Sequence, residues 1–328
     1  MIGDDKRVGG PDMRGDDKRA LGIEIDPMSC KPWSATDGEH MRALGIDIGG
    51  SSVKMGLLDQ EGGVADITKA DTIIGDPEAM ADLICGNAAR YTPDIVGVGT
   101  AGMVNHKSGL VTASNLKWTQ VALRKMLEDR LHVPVWVDND AQAAMMAEAH
   151  SGVLEGARCA VYITLGTGVG GALLIDGRPW RGNDNAAFEL GHIVTHANGV
   201  LCACGMRGCF ESYASTPALS RIGGGKSARK IIDGVLAGAP EDIEIFDIYI
   251  HELCVGLFSV INLFRPDAIA LGGGASAAGE ALINGVNKEI EKLFPARRDD
   301  YKINIKLAAH KNNAGMIGAA ALAKLHLL

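Results

Sequence analysis

The chain has 328 residues, of which 47% are hydrophobic and 22% charged, with a formal net charge of −8. That length allows about two domains and a sizeable core. The acidic balance gives no general attraction to nucleic acid or to an anionic membrane, no apolar run is long enough to span a bilayer, and the charged N-terminus does not read as a signal peptide. Seven cysteines, four of them scattered (Cys30, Cys85, Cys159, Cys254), fit a reducing compartment better than a disulfide framework, so the expected location is cytoplasmic.

Residues 1–40 carry Gly-Asp-Asp-Lys-Arg twice, at 3–7 and 15–19, with prolines and little periodicity. They read as a flexible extension, with Met41 a candidate start. Ala43–Ile48 reads as a strand, Gly49-Gly50-Ser51-Ser52 as a turn and Val53–Leu58 as a second strand. A helix is expected over Pro77–Tyr91, with Pro77 in its first turn. Ile95–Val98 reads as a strand, Gly99–Gly102 as a turn followed by a polar turn, Trp118–Leu131 as a helix and Val133–Val137 as a strand. Asp138-Asn139-Asp140 then precede a helix over Ala141–His150.

The second half repeats this scheme. Cys159–Leu165 reads as a strand, Gly166–Gly171 as a glycine turn and Ala172–Ile175 as a strand. Helices are expected around Ser215–Gly238 and Phe246–Leu263. Ala268–Leu271 reads as a strand ending in Gly272-Gly273-Gly274. A helix over about Gly279–Leu293, a strand over Ile303–Leu307 and a last helix over about Asn313–Leu325 complete the chain. Two similar strand–glycine–strand openings suggest two related α/β halves facing a cleft.

Two segments match Gly-x-Gly-x-x-Gly: Gly97, Gly99, Gly102 and Gly166, Gly168, Gly171. A dinucleotide site needs strand, turn, then helix, and neither match precedes a helix, so a nicotinamide or flavin reading fails. No P-loop pattern is present. Glycine hairpins can still hold phosphate, because successive N–H groups without a Cβ between them can face an anion closely. Asp47-Ile-Gly-Gly-Ser-Ser-Val-Lys54 offers one such turn, and Leu165-Gly-Thr-Gly-Val-Gly-Gly171 a second with the Thr167 hydroxyl added. Each alone could equally be a tight structural hairpin. Two of them favour a nucleotide clamped between the halves. Gly272-Gly273-Gly274 could let an adenine or ribose lie on the backbone, although a helix-preceding turn explains it as well.

The segment Glu189 to Glu211 reads Glu-x-x-His-x9-Cys-x-Cys-x4-Cys-x-Glu. His192, Cys202, Cys204 and Cys209 make a Cys₃His set suited to structural zinc. The Cys-x-Cys-x4-Cys spacing also allows free thiols or a pair joined as a disulfide. Glu189 and Glu211 bracket the set, so a metal that folds the loop would also fix those carboxylates. A phosphoryl-transfer enzyme needs a carboxylate near the attacking hydroxyl. Asp138, Asn139 and Asp140 lie at a strand end, where any of the three could instead cap the next helix, and spacing does not choose among them.

Taken in order, these motifs resemble the ROK (repressor, open reading frame, kinase) family of sugar kinases, within the actin-like, hexokinase-like ATPase superfamily. The resemblance runs from about Leu44 to Ala323. It rests on Asp47-Ile-Gly-Gly, Asn115-Leu-Lys-Trp118, Asn139-Asp-Ala141, Leu165-Gly-Thr-Gly-Val-Gly-Gly171, Glu189-Leu-Gly-His192, Cys202-Ala-Cys-Gly-x-x-Gly-Cys209-Phe-Glu211 and Ala270-Leu-Gly-Gly-Gly274. It implies a two-domain α/β fold of the actin-like, ribonuclease H-like kind with an interdomain cleft. The smaller domain would be 41–150 plus 312–328 and the larger 151–311, with the extension 1–40 outside both.

The resemblance further implies ATP-dependent phosphorylation of a hexose, usually at its 6-hydroxyl, with glucose the first choice. N-acetylmannosamine, fructose or allose would be the alternatives. Asp140 matches the family's base. Gly102, Asn115, Asn139, Glu189, His192 and Glu211 match its sugar-contacting positions, and His192, Cys202, Cys204 and Cys209 its zinc ligands. ATP would lie along Asp47, Gly49, Gly50, Ser51, Lys54, Gly166, Thr167, Gly168 and Gly272 to Gly274, with Mg²⁺ bridging its phosphates near Asp47. A homodimer is implied, with no nucleic-acid or membrane partner. The chain departs from the family's usual pattern at Ser51 (commonly Thr), Gln142 (commonly Asn) and Phe188, where a small residue is usual and the added bulk would reshape the sugar pocket. A DNA-binding repressor of the same fold is the alternative of a different class. Such proteins carry a winged helix-turn-helix of more than 40 residues, for which the acidic, turn-rich extension offers no helix pair.

Overall fold

The fold starts from an apolar strand that reads the same in sequence and structure. β1 (Ala43–Ile48) is buried along almost its whole length, as expected of a central strand covered on both faces. The structure, a computed structural model, describes residues 41–182, 187–293 and 301–327. All of these belong to one compact unit, Pro32–Leu328. The expected extension, residues 1–40, lies outside the described residues.

β1 is followed by β2 (Ser52–Leu58), β3 (Val64–Asp71) and α1 (Pro77–Ala88), which a 3-10 turn extends to Tyr91. Asp76 caps α1 through its side chain, with Pro77 in the first turn. β4 (Ile95–Thr100), β5 (Met103–Asn105), β6 (Leu110–Ala113), β7 (Trp118–Val121), α2 (Leu123–Leu131), β8 (Val135–Asn139) and α3 (Asp140–Ser151) complete the first half. The second half contains β9 (Ala160–Leu165), β10 (Val169–Ile175), β11 (Arg178–Trp180), α4 (Glu211–Ala214), α5 (Thr216–Ile222), α6 (Ala228–Leu236), α7 (Pro240–Phe264), β12 (Ala268–Gly272), α8 (Glu280–Leu293), β13 (Ile305–Leu307) and α9 (Ala314–Leu327).

Two expectations are corrected. The segment from Trp118 is not helical until Leu123. Its first residues form β7, which pairs with β6, and Gln120 sits at φ +53°, outside helical geometry. The polar stretch after Gly102 is not only a turn: β5, β6 and β7 make a small antiparallel sheet there. The edge strands β3 and β11 were not anticipated, since their exposed residues break the apolar pattern.

The two large sheets share one topology. The first has the order β3-β2-β1-β4-β8, antiparallel through β1–β3 and parallel through β1, β4 and β8. The second has the order β11-β10-β9-β12-β13, with antiparallel and parallel pairs in the same places. In each half the first two strands form the hairpin that carries a glycine turn.

The two sheets cover their faces with different elements. Leu44, Ile46, Val96 and Val98 pack with α1 and α2 in one core, while Val161, Ile163, Leu271 and the α7 residues Leu253 and Leu257 form another. α3 and α9 pack on each other; α9 also lies on β1 and β4, and α3 on β9 and β10. Small residues permit that close seating. A Cβ on Gly45 would come within 1.9 Å of the Met316 carbonyl oxygen, and one on Gly97 within 1.8 Å of that of Ala319. Among the described residues, no helix is long and apolar enough to cross a membrane.

Candidate active site

The three polar residues where β8 meets α3 differ in their surroundings. Asp138 is 5% exposed and its Oδ2 is paired with the Arg181 guanidinium, itself 10% exposed. Trp136 Nε1 donates to the same oxygen at 3.3 Å, and the Asn139 N–H donates to Oδ1 at 2.9 Å. A buried carboxylate engaged by three donors holds structure. Asn139 is the N-cap of α3: its Oδ1 accepts from the Ala141 N–H at 2.9 Å, while its Nδ2 donates to the Gly102 carbonyl at 3.0 Å. The second bond ties the helix start to the β4–β5 turn, where Gly102 sits at φ +98° with the Thr112 carbonyl 2.4 Å from any added Cβ.

Asp140 remains, its Oδ1 accepting from the Ala141 N–H at 2.9 Å, with the Asn139 side chain also bonding the carboxylate. Its surface is open to water, yet protein crowds it on most sides. That crowding, with the nearby Asp47 charge adding to it, pushes its pKa up to about 6. A carboxylate ionised at neutral pH and more basic than usual is suited to accept a proton.

Asp47 is the penultimate residue of β1, beside the first glycine turn. Burial raises its pKa, and Lys54, 3.7 Å away, opposes the rise. Lys54 also donates to the Asn312 carbonyl at 3.2 Å. The turn closes through the Gly49 N–H on the Ser52 carbonyl (3.0 Å), and Thr72 fastens it by donating its hydroxyl to the Gly49 carbonyl (2.7 Å). Asn115 lies nearby: a Cβ on Gly50 would be 3.6 Å from its Nδ2. Among the described residues Ser51 has one recorded bond, its carbonyl accepting the Thr72 N–H at 3.2 Å.

The second turn closes through the Gly166 N–H on the Gly168 carbonyl at 2.9 Å. Among the described residues, the Thr167 and Gly168 N–H groups and the Thr167 hydroxyl have no protein partner, an arrangement that suits an anion. Gly273, at φ +83°, lies against the backbone of Leu165, with 2.6 Å from an added Cβ to the Leu165 nitrogen. Gly272 lies under the Tyr162 hydroxyl, and Gly274 faces Thr216. The three-glycine run therefore borders the second turn, and Gly273 has no room for a side chain.

The cysteine loop is folded by its own backbone. Bridges pair Val194 with Cys209 and Leu201 with Arg207, and the Cys202 N–H donates to the Met206 carbonyl at 2.8 Å. The ligand atoms of His192, Cys202, Cys204 and Cys209 all lie within 4.8 Å of one another. Cys204 and Cys209 sulfurs are 3.6 Å apart, and His192 Nδ1 is 3.9 Å from the Cys202 sulfur. Tetrahedral zinc with Zn–S bonds of about 2.3 Å sets ligand edges near 3.8 Å, so the set fits that ion. All three thiols are free. Without a cation, burial pushes the Cys209 thiol up to about 12; a bound dication would reverse that. With Nδ1 facing the metal position, His192 Nε2 is left for another partner.

Glu211 begins α4 and turns toward the second glycine turn. Its Oε2 accepts from the Val169 N–H at 3.0 Å, and its Oε1 lies 3.8 Å from the Cys202 sulfur. The Glu189 side chain has no hydrogen-bond partner among the described residues. Phe188 sits at φ +70°. Its ring packs on the larger core, 5.5 Å from the Phe264 ring and against Gly171. The bulk of Phe188 thus lies against the core, where a Cβ at Gly171 would meet the ring at 3.0 Å.

Sequence reasoning missed Arg181, which occupies Asp138, and the threonines Thr72 and Thr216, which hold the two glycine turns. Thr216 donates both its N–H (2.8 Å) and its hydroxyl (2.9 Å) to the Gly166 carbonyl. Neither threonine lies in a glycine motif, and the sequence offers no local signal for such distant bonds.

The ROK family model matches residues 43–326. A glucokinase of Streptomyces coelicolor is 34% identical over 309 residues, covering 86% of this chain and 97% of that protein. A ROK family glucokinase from Streptomyces griseus, solved with glucose and AMPPNP, superimposes with a TM-score of 0.74 at 31% identity, covering 87% and 99% of the two chains. A ROK hexokinase from Thermus thermophilus gives a TM-score of 0.78 at 27% identity, covering 88% and 99%.

Proposed function

Because the chain belongs to the ROK family and is an ATP-dependent sugar kinase, we propose that it phosphorylates D-glucose at the 6-hydroxyl, with Asp140 as the general base. The observation that carries the base assignment is the state of the three residues at the end of β8. Asp138 is buried and paired with Arg181, Asn139 caps the helix and bonds Gly102, and Asp140 is the exposed carboxylate of the three, its pKa raised by the protein around it.

On this reading residues 41–150 with 312–328 and residues 151–311 are the two domains, and the substrates meet between them. Gly102, Asn115, Asn139, Glu189, His192 Nε2 and Glu211 present polar groups to the sugar. Gly49, Gly50, Ser51 and Lys54 in the first turn, and Gly166, Thr167 and Gly168 in the second, hold ATP phosphates, with Gly272, Gly273 and Gly274 beneath the nucleoside. Asp140 takes the 6-hydroxyl proton as that oxygen attacks the γ-phosphorus in line and ADP leaves. Transfer of this kind depends on positioning and charge stabilisation more than on covalent help from the protein. Asp47 is a hard oxygen donor beside Asp140, suited to the water shell of the Mg²⁺ that accompanies ATP and neutralises its phosphates. His192, Cys202, Cys204 and Cys209 would hold zinc with no open position, so the metal fixes the loop and takes no part in the chemistry. The family likeness carries a homodimer with it.

The test is ADP release across D-glucose, mannose, fructose, allose, N-acetylglucosamine and N-acetylmannosamine, ranked by kcat/KM. Glucose is expected to rank first. A higher value for another sugar would replace the substrate, and specific operator binding without any ADP release would replace the kinase reading altogether.

A further inference from the structure

The stretch from Cys209 to Thr216 connects two sites that the sequence keeps apart. It starts at a buried metal-ligand position and ends, one short helix later, on the second glycine turn. Three bonds make the connection. Glu211 Oε2 accepts from the Val169 N–H, and Thr216 donates twice to the Gly166 carbonyl. These grip the turn at both shoulders, Gly166 on the β9 side and Val169 on the β10 side. Gly168 is shaped to this grip, since a Cβ there would lie 2.3 Å from Glu211 Oε2. The Thr216 methyl would also be 3.4 Å from a Cβ on Gly274, so the same residue borders the third glycine run.

The first glycine turn is held differently. Thr72, which fastens Gly49, follows β3 in the same sheet. The second turn has no such support from β11; its threonine comes from the segment that begins at the metal loop. Order in the Cys/His loop therefore passes to the turn through a covalent path of seven peptide bonds that includes α4.

We propose that Thr216 and Glu211 are positioning residues for the nucleotide phosphates, and that the Cys/His loop, through Cys209–Thr216, is the mount of the β9–β10 turn. Metal at the loop then supports ATP binding as well as sugar binding. The inference rests on the reading of that turn as a phosphate site.

Thr216→Val removes the hydroxyl donor while keeping the β-branched shape and the backbone donor, and Thr216→Ser keeps the hydroxyl. The expected result for Thr216→Val is an ATP KM and an AMPPNP dissociation constant raised about three- to tenfold, the size of one hydrogen bond. Glucose affinity and zinc content by elemental analysis should stay at wild-type levels, and Thr216→Ser should recover most of the loss. In a second arm, Cys204→Ser, or wild-type protein stripped with a chelator, is titrated with AMPPNP alone. Weaker AMPPNP binding with the chain still folded by circular dichroism supports the coupling. Unchanged AMPPNP binding in both arms overturns it, as does a Thr216→Val effect confined to glucose. If wild-type protein binds no AMPPNP, the phosphate-site reading fails first, which is a different outcome from intact binding insensitive to Thr216 and metal.

Discussion

Asp140 differs from its neighbour Asp138 by what surrounds it, and that difference can be measured. Asp140→Asn is expected to lower kcat by about 10²–10⁴-fold while leaving the glucose dissociation constant within about twofold, since only the proton acceptor is lost. Turnover near the wild-type rate would remove the base assignment. The base must be ionised to act, and its pKa is raised to about 6, so kcat/KM should fall as pH drops through that region. The sign for stability is opposite. A carboxyl whose folded pKa lies above its unfolded value favours the fold below the unfolded pKa and loses that contribution as pH rises through the folded pKa. Asp140→Asn should therefore melt higher than wild type at pH 7.5, with the gap closing toward pH 4.5 in calorimetry. Equal melting temperatures at both values would contradict the crowded environment.

Elements show where sequence patterns suffice and where they fail. β1, β9 and β12 were legible because buried central strands read as largely apolar runs, β2 because its apolar residues follow a glycine turn, and α1 because Asp76 and Pro77 mark its start. β7 was not, because Trp118-Thr-Gln-Val runs directly into the helical periodicity of α2 and only pairing with β6 makes it a strand. At the site, the glycine turns and the Cys/His set were visible as motifs. The resemblance had pointed to Asp140, but the pairing of Asp138 with Arg181, a residue 43 positions away in the chain, and the threonine fastenings had no local signature. The seating of α9 on β1 and β4 was equally invisible, although its glycines were in plain view. Gly97→Ala would drive a Cβ into the Ala319 carbonyl at 1.8 Å, with backbone on both sides unable to give cheaply. A loss of at least about 2 kcal/mol in urea unfolding is expected. A change below about 0.5 kcal/mol would mean that α9 shifts freely on the sheet.

At the scale of the molecule, one sheet topology occurs twice, and each copy opens with a glycine hairpin. The copies differ in how they are completed. The second sheet takes its strands from Ala160 to Leu307 and finds its large core partners, α7 and α8, inside the same span. The first sheet has its strands in place by Asn139, yet β1 and β4 keep a glycine-lined face for α9, the last helix. During synthesis the half that emerges first must then wait, with part of its apolar surface open, for α9 to leave the ribosome. Contacts of such separation are costly to close and slow to form. Nascent chains halted before Ala314 are expected to be cut by protease within 43–139, whereas released full-length chains resist. Equal resistance in both would show that the first sheet closes without its helix. α9 acts in this sense as a completion signal, since the half bearing Asp140 is sealed only once that distant helix has been made.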